Sequence, residues 1–249
     1  MGRRRKPPEG ARAIDGWFAV DKPKGISSAG VVARLRATLK PKRIGHGGTL
    51  DPLATGVLPV AVGEATKTVA YAMGGLKSYR FTVCFGERRD TDDGEGRVVE
   101  TSAVRPTTDG IEGVLSGFVG AIEQVPPAFS ALKQGGRPAY DRARRGERVA
   151  LAPRPVTVHR LELVGRPDQD HATFEVICGK GVYVRALGRD LAAALGTVGF
   201  VSELRRTRVG PFREEHAIPL DNLAAMGHSA RAFEHLHPVE TVLDDIPAL

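Results

Sequence analysis

Apolar and polar positions alternate from Ser78 to Phe85, with Tyr79, Phe81, Val83 and Phe85 on one side. A period of two predicts a strand with one buried face. The same period returns from Ala172 to Cys178, where Phe174, Val176 and Cys178 share a face, and Pro155 to Val164 reads as another strand. Gly16 to Val20 is a short buried strand, and Arg97 to Glu100 begins another. Helical spacing holds for Val31, Val32, Leu35 and Leu39, with Ser27 or Ser28 as the cap. Ile111, Val114, Leu115 and Phe118 predict a helix over Thr107 to Phe118. Further helices are expected from Glu64 to Met73 and from Tyr183 to Leu195, the latter stopped by Gly196. Val125 to Ala131 is extended because each proline disfavours helix before it. Tyr140 to Gly146 fits a short basic helix, and Ile218 to Leu249 is helix-prone. Strands and helices mix without regular alternation, which argues for an α+β fold.

One stretch breaks both periods. Gly45 to Pro59 reads GHGGTLDPLATGVLP, dense in glycine, proline and threonine. Such a segment predicts a shaped loop rather than the interior of a helix or strand. It carries a single carboxylate, Asp51, with His46 close by. A carboxylate there is either a turn cap or a reactive group on a rigid frame, and the pattern leaves both open. Asp90 to Gly96 is a polar turn that lacks the ligand pattern and closing glutamate of a calcium loop.

Composition narrows the classes. A chain of 249 residues can bury a sizeable core, as one large domain or two modest ones. The two cysteines, Cys84 and Cys178, have no metal-ligand neighbours, and His235 with His237 is the one close histidine pair, so no metal is expected. No apolar run reaches the length of a membrane span, the basic start lacks the apolar region of a secretory signal, and with only two cysteines a reducing cytoplasm is the expected compartment. Lys plus Arg total 36 against 29 for Asp plus Glu, a net charge of +7 that favours a polyanionic partner. Arginine clusters at Arg3 to Arg5, Arg142 to Arg145 and Arg205 to Arg208 suit phosphates, although any one of them could be a solvated face.

Taken together, several segments resemble the bacterial TruB family of tRNA pseudouridine synthases. They are Asp21-Lys22-Pro23 with Gly25 and Ser27-Ser28, then GHGGTLDPLATGVLPV, Gly63 to Lys67, Lys77 to Phe81 and Asp90 to Asp93. Gln124 to Pro127 with Ser130-Ala131, Tyr140 with Ala143-Arg144 and Gly146, Cys178 to Arg185 and Leu204 to Thr207 continue the match. Order and spacing agree from about residue 16 to residue 212. The resemblance implies a pseudouridine synthase fold, a mixed and mostly antiparallel sheet flanked by helices with an RNA cleft across it. It implies isomerisation of uridine-55 in the tRNA T-loop, without cofactor, metal or protein partner, by a monomer.

By the same resemblance Asp51 is the nucleophile, Tyr79 stacks on the target uracil and serves as general base, and Arg185 pairs with Asp51. His46 fills the space of the extruded base, Tyr183 and Leu204 line the base pocket, and Lys22 stands near the site as a structural or phosphate contact to the substrate. The arginine clusters would position the RNA backbone. Residues 1–13 are expected as a basic flexible tail and 14–249 as the catalytic domain. The PUA-like domain that family members commonly carry after it is expected to be absent or cut off. Charge alone fits an RNA-folding module equally well. The guide-RNA-dependent type of relative, with a Lys-rich tail and a complete PUA domain, is not expected.

Overall fold

The structure, a computed structural model, describes residues 10–130 and 151–243, with 133, 134, 137, 138, 142, 145 and 147 between them. Residues 1–9 of the expected tail, most of the basic helix expected over Tyr140 to Gly146, and residues 244–249 lie outside the described set.

In chain order the elements begin with β1 (Gly16–Lys22), α1 (Ser28–Leu39), β2 (Ile44–His46), β3 (Thr55–Val62) and α2 (Val69–Gly74). Next come β4 (Lys77–Phe85), β5 (Glu87–Arg89), β6 (Val98–Thr101), α3 (Thr108–Leu115) and β7 (Gly120–Gln124). They continue as β8 (Lys133–Gln134), β9 (Arg137–Pro138), β10 (Arg154–Gly165), β11 (His171–Cys178), α4 (Val184–Ala194) and β12 (Gly199–Val209). The last are β13 (Phe212–Arg213), β14 (Ile218–Pro219), α5 (Leu220–Met226), α6 (Ala230–Phe233) and β15 (Leu236–His237). Helices and strands follow one another irregularly and strands pair in both senses, as the α+β expectation requires. No described helix is long and apolar enough to cross a membrane.

The chain forms two compact units, one made of the segment up to Ser78 with the segment from Arg205 onward, the other of Tyr79–Leu204. In the first, β1 is antiparallel to β3 from Gly16 opposite Val62 to Lys22 opposite Gly56. β14 joins β1 in parallel, and the end of β12 joins β3 in parallel, with Arg206 opposite Gly56. Trp17, Ala19, Val57, Ala61, Val209 and Phe212 form one apolar cluster, since alternate residues of paired strands face the same way. Ser27 caps α1 by accepting from the Gly30 N–H at 3.1 Å, and Val31, Leu35 and Leu39 are buried along one face.

In the second unit the strand order is β12, β4, β11, β10, β7. Phe81 of β4 stacks on Phe174 of β11 with ring centroids 5.3 Å apart, on the apolar faces that the alternation predicted. Helix α4 lies close to Val83 and Val201 because Gly188 leaves room; a Cβ there would stand 2.7 Å from a Val201 methyl.

Three expectations need correction. Residues Thr55–Pro59 are not loop but the start of β3, almost wholly buried. Gly56 tolerates φ +96° and lets the Arg206 main chain approach, while Pro59 contributes a carbonyl that accepts from Gly47 N–H at 2.8 Å. The helix expected over Glu64 to Met73 divides into a 3₁₀ turn, Gly63–Lys67, and α2. Strands β7 and β12 were not anticipated, since neither GAIEQ nor the arginine-rich GFVSELRRTRV shows a clean period of two.

At Gly56 a Cβ would lie 2.2 Å from the Arg206 carbonyl oxygen, so Gly56→Ala is expected to cost at least about 2 kcal/mol. Gly113, exposed in α3 with no atom near its missing Cβ, is the control: Gly113→Ala should stabilise by about 0.5–1 kcal/mol. Urea unfolding of both variants measures the contrast.

Candidate active site

Asp51 is half-buried on the turn that leads into β3, and its carbonyl accepts from Ala54 N–H at 3.1 Å. The peptides on either side of it are held. The Ser28 hydroxyl accepts from Leu50 N–H at 2.8 Å and donates to the Leu50 carbonyl at 3.0 Å, standing in for a strand partner. The Pro52 carbonyl accepts from Gly25 N–H at 2.8 Å and from the Lys22 ammonium at 3.2 Å. Lys22 is fully buried and also donates to the carbonyls of Ile26 at 2.7 Å and Pro23 at 3.0 Å. Alternation along β1 turns Lys22 inward, so its charge is met by oxygen dipoles within the protein.

A second cation works from the other side of the turn. Arg206, 1% exposed, donates from Nε to the Val57 carbonyl at 2.8 Å, from Nη2 to that of Gly48 at 3.1 Å, and from Nη1 to that of Thr49 at 3.3 Å. A planar fork with several donors can serve three carbonyls at once; an ammonium point charge could not hold that geometry. Arg206 is therefore not the phosphate-facing residue expected of the Arg205 to Arg208 cluster. Arg205 is likewise engaged, bidentate on Asp21 at 3.1 Å for each nitrogen and on Glu214 at 2.7 Å. His46, on β2 opposite Val60, feels the same charge: burial first, and the Arg206 guanidinium second, hold its imidazole below the ordinary value of 6.5. Its Nδ1 is buried and makes no hydrogen bond.

The second unit carries Tyr79, Tyr183, Arg185 and Leu204. Tyr79 is half-buried near the start of β4, and Leu204 lies on the neighbouring strand β12. Tyr183 is the N-cap of α4, and its N–H donates to Gln124 Oε1 at 2.8 Å. Arg185, in the first turn of α4, is 4% exposed. A cation there opposes the helix dipole, so it needs local compensation. Nη1 donates to the Thr91 carbonyl at 2.8 Å, Nη2 to the Phe129 carbonyl at 2.9 Å, and Asp93 Oδ2 lies 3.5 Å away. Asp93 is itself fixed by the Thr91 hydroxyl at 2.6 Å and by Glu95 N–H at 3.0 Å. The polar turn expected at Asp90 to Gly96 thus anchors an arginine. Beside it, burial raises the Asp92 carboxyl above its ordinary range, although Arg189 pulls it down.

Within the first unit the structure brings Asp51, Lys22 and His46 to one turn and its flanks; within the second it brings Tyr183 and Arg185 to one helix end. Sequence reasoning missed Ser28, Arg206, Asp93 and Arg189. The Ser27-Ser28 pair did hold a signal, because one serine suffices for the cap and the second is spare. Among the described residues, no cluster of His, Cys, Asp or Glu is placed to hold a metal ion.

Comparison with known proteins gives two family matches. The profile described as TruB family pseudouridylate synthase (N terminal domain) matches residues 36–184, and that described as tRNA pseudouridylate synthase B C-terminal domain matches 185–244. A protein named tRNA pseudouridine synthase B from Bradyrhizobium diazoefficiens is 57% identical over 243 residues, covering 96% of this chain and 70% of its own length. Its namesake from Gluconacetobacter diazotrophicus is 56% identical over 239 residues, covering 96% of this chain and 78% of its own. Among solved structures, one of a Cbf5-Nop10-Gar1 complex superposes with a TM-score of 0.72 at 28% identity, over 95% of this chain and 69% of that one.

The imidazoles of His46 and His237 are both held below 6.5, each chiefly by burial, so the fold keeps them neutral at pH 7. The unfolded chain takes up their protons first. Stability from this source is therefore present above about pH 6.5 and is lost as pH falls from there through the folded-state values. Urea midpoints should drop between about pH 7.5 and 5.5, and His46→Gln should flatten the drop.

Proposed function

Because the chain belongs to the TruB family of pseudouridylate synthases, we propose that it isomerises uridine-55 in the T-loop of tRNA to pseudouridine. The observation that carries this reading is the Asp51 turn. A half-buried carboxylate stands on a backbone whose flanking carbonyls are clamped from both sides, and that is the preorganisation an attacking group needs.

The reaction breaks the bond between ribose C1′ and uracil N1 and forms one between C1′ and C5. N1 gains a proton and C5 loses one, so no redox change or hydrolysis is required. Asp51 acts as the nucleophile, at C1′ or at C6 of the base, or it assists elimination to a glycal; all three routes use one carboxylate. Tyr79 is the ring that stacks on the target uracil and moves its proton, and Arg185 is the accompanying cation. Tyr183 and Leu204 line the base pocket.

The target nucleotide is stacked inside a folded loop and has to be extruded. His46 is suited to fill the space it leaves, since a neutral imidazole is flat and keeps one nitrogen free to accept. Lys22 takes the role of a positioning residue, because its ammonium already holds the Pro52 carbonyl beside Asp51. Recognition of the T-arm rests on shape and on the splayed bases, which is how proteins read folded RNA. The net charge of +7 supplies general attraction. The enzyme works as a monomer in the cytoplasm.

A T-arm hairpin labelled with tritium at uridine C5 tests the reading. The wild-type chain should release tritium without added metal or nucleotide. Asp51→Asn should lower the rate by at least about 10³-fold while hairpin affinity stays within about twofold. Turnover retained by the variant would remove Asp51 from the role of nucleophile.

A further inference from the structure

Helix α4 carries two arginines four residues apart, Arg185 and Arg189, and so on one face. Each bridges the same two loops. Arg185 donates to Thr91 in the polar turn and to Phe129 in the extended segment. One turn further along, Arg189 donates from Nη1 to the Asp92 carboxylate at 2.9 Å and from Nη2 to the Val125 carbonyl at 2.8 Å. Its Nε is occupied by Asp190 at 2.8 Å. The two loops are thus tied to α4 at two successive levels.

The Asp92 end of this second tie is built under constraint. Asp92 has φ +59°, a left-handed conformation that residues other than glycine seldom adopt. Its side chain is 11% exposed, and burial raises its carboxyl despite the guanidinium against it. The turn is docked on β12 as well, where Val201 N–H donates to the Asp92 carbonyl at 3.1 Å and Gly94 N–H to the Val201 carbonyl at 3.2 Å. An uncommon left-handed backbone and a carboxylate disfavoured by burial are poor choices for stability alone. They make sense where the direction of a neighbouring group matters. That group is Arg185, whose anchors, Thr91 and Asp93, flank Asp92 on both sides.

We propose that Arg189 and Asp92 are a positioning pair for the reaction: they fix the turn and the extended segment so that the Arg185 guanidinium points in one direction. The proposal rests on the reading that Arg185 serves the isomerisation. Arg189 and Asp92 touch no reacting atom themselves; they act through Arg185.

The test uses the full chain with Asp92→Asn, Arg189→Gln and Arg189→Lys. Asparagine is isosteric and tolerates the left-handed φ, so the turn survives and only the charge is lost. On the T-arm hairpin, Asp92→Asn and Arg189→Gln should each lower kcat by about 10- to 100-fold with KM within about twofold, and Arg189→Lys should recover part of the loss. In an Arg185→Lys background, adding Arg189→Gln should change kcat by less than about twofold, because the group it positions is gone. Wild-type kcat in both single variants overturns the proposal. So does a loss that merely follows the fraction unfolded in a thermal melt, or a loss that multiplies fully with Arg185→Lys.

A readout without substrate separates this idea from the functional reading. In wild type, the hydrogen-bonded Arg185 Nη groups should show restricted rotation by NMR, and in Asp92→Asn that restriction should be lost. If wild type fails to turn over the hairpin, the functional reading falls, and the NMR comparison still decides the positioning role. An unchanged Arg185 signal in both variants overturns it.

Discussion

Lys22 places an ammonium where solvent does not reach, and the carbonyls of Pro23, Ile26 and Pro52 receive it. Arg206 does the same with a guanidinium on Gly48, Thr49 and Val57. Burying a cation costs several kcal/mol unless polar groups compensate, so neither the charges nor the carbonyls can move independently. Asp51 stands in the short interval between these two clamps, with Leu50 fixed by Ser28. The path of the main chain through the turn follows from this constraint, and with it the origin of the Asp51 side chain. The clamps reach across the sequence, from β1, from the start of α1 and from β12, so the turn depends on the whole of its unit being folded.

The same device recurs in the second unit. Arg185 donates to the carbonyls of Thr91 and Phe129 and Arg189 to that of Val125, and two of their acidic partners, Asp92 and Asp93, belong to a turn held by its own side-chain bonds. Arginine forks serve here as struts between loops. Part of the basic excess is spent inside the protein, on Lys22, Arg206 and Arg185, and is not available for phosphate contacts. One consequence is local: the field of Arg206 helps burial keep His46 neutral.

Much of this was legible beforehand, for physical reasons that differ by element. Strands β4, β10 and β11 have one buried face, and a period of two survives in Phe81, Val83 and Phe85. Helix α1 announced itself through Ser27 and the spacing of Val31, Leu35 and Leu39. Strand β12 did not, because its inward positions include Arg206, a residue that composition places on the surface. The start of β3 was hidden by Gly56 and Pro59, which read as loop until Arg206 is seen lying against the glycine. Asp51 and His46 stood out as chemistry on an irregular segment. Lys22, Tyr79, Tyr183, Arg185 and Leu204 are candidates only through family resemblance, since an isolated lysine or tyrosine carries no signal of its own. Ser28, Asp93, Asp92 and Arg189 needed coordinates, because their meaning lies in hydrogen bonds between segments distant in the chain.

On the proposed reading, the reaction rate depends on how firmly the Asp51 turn is held. Arg206→Lys tests it most directly: the charge remains, but an ammonium cannot serve three carbonyls in a plane. With Asp51 intact, single-turnover conversion of a T-arm hairpin should slow by about tenfold or more at unchanged hairpin affinity. A wild-type rate in that variant would contradict the account.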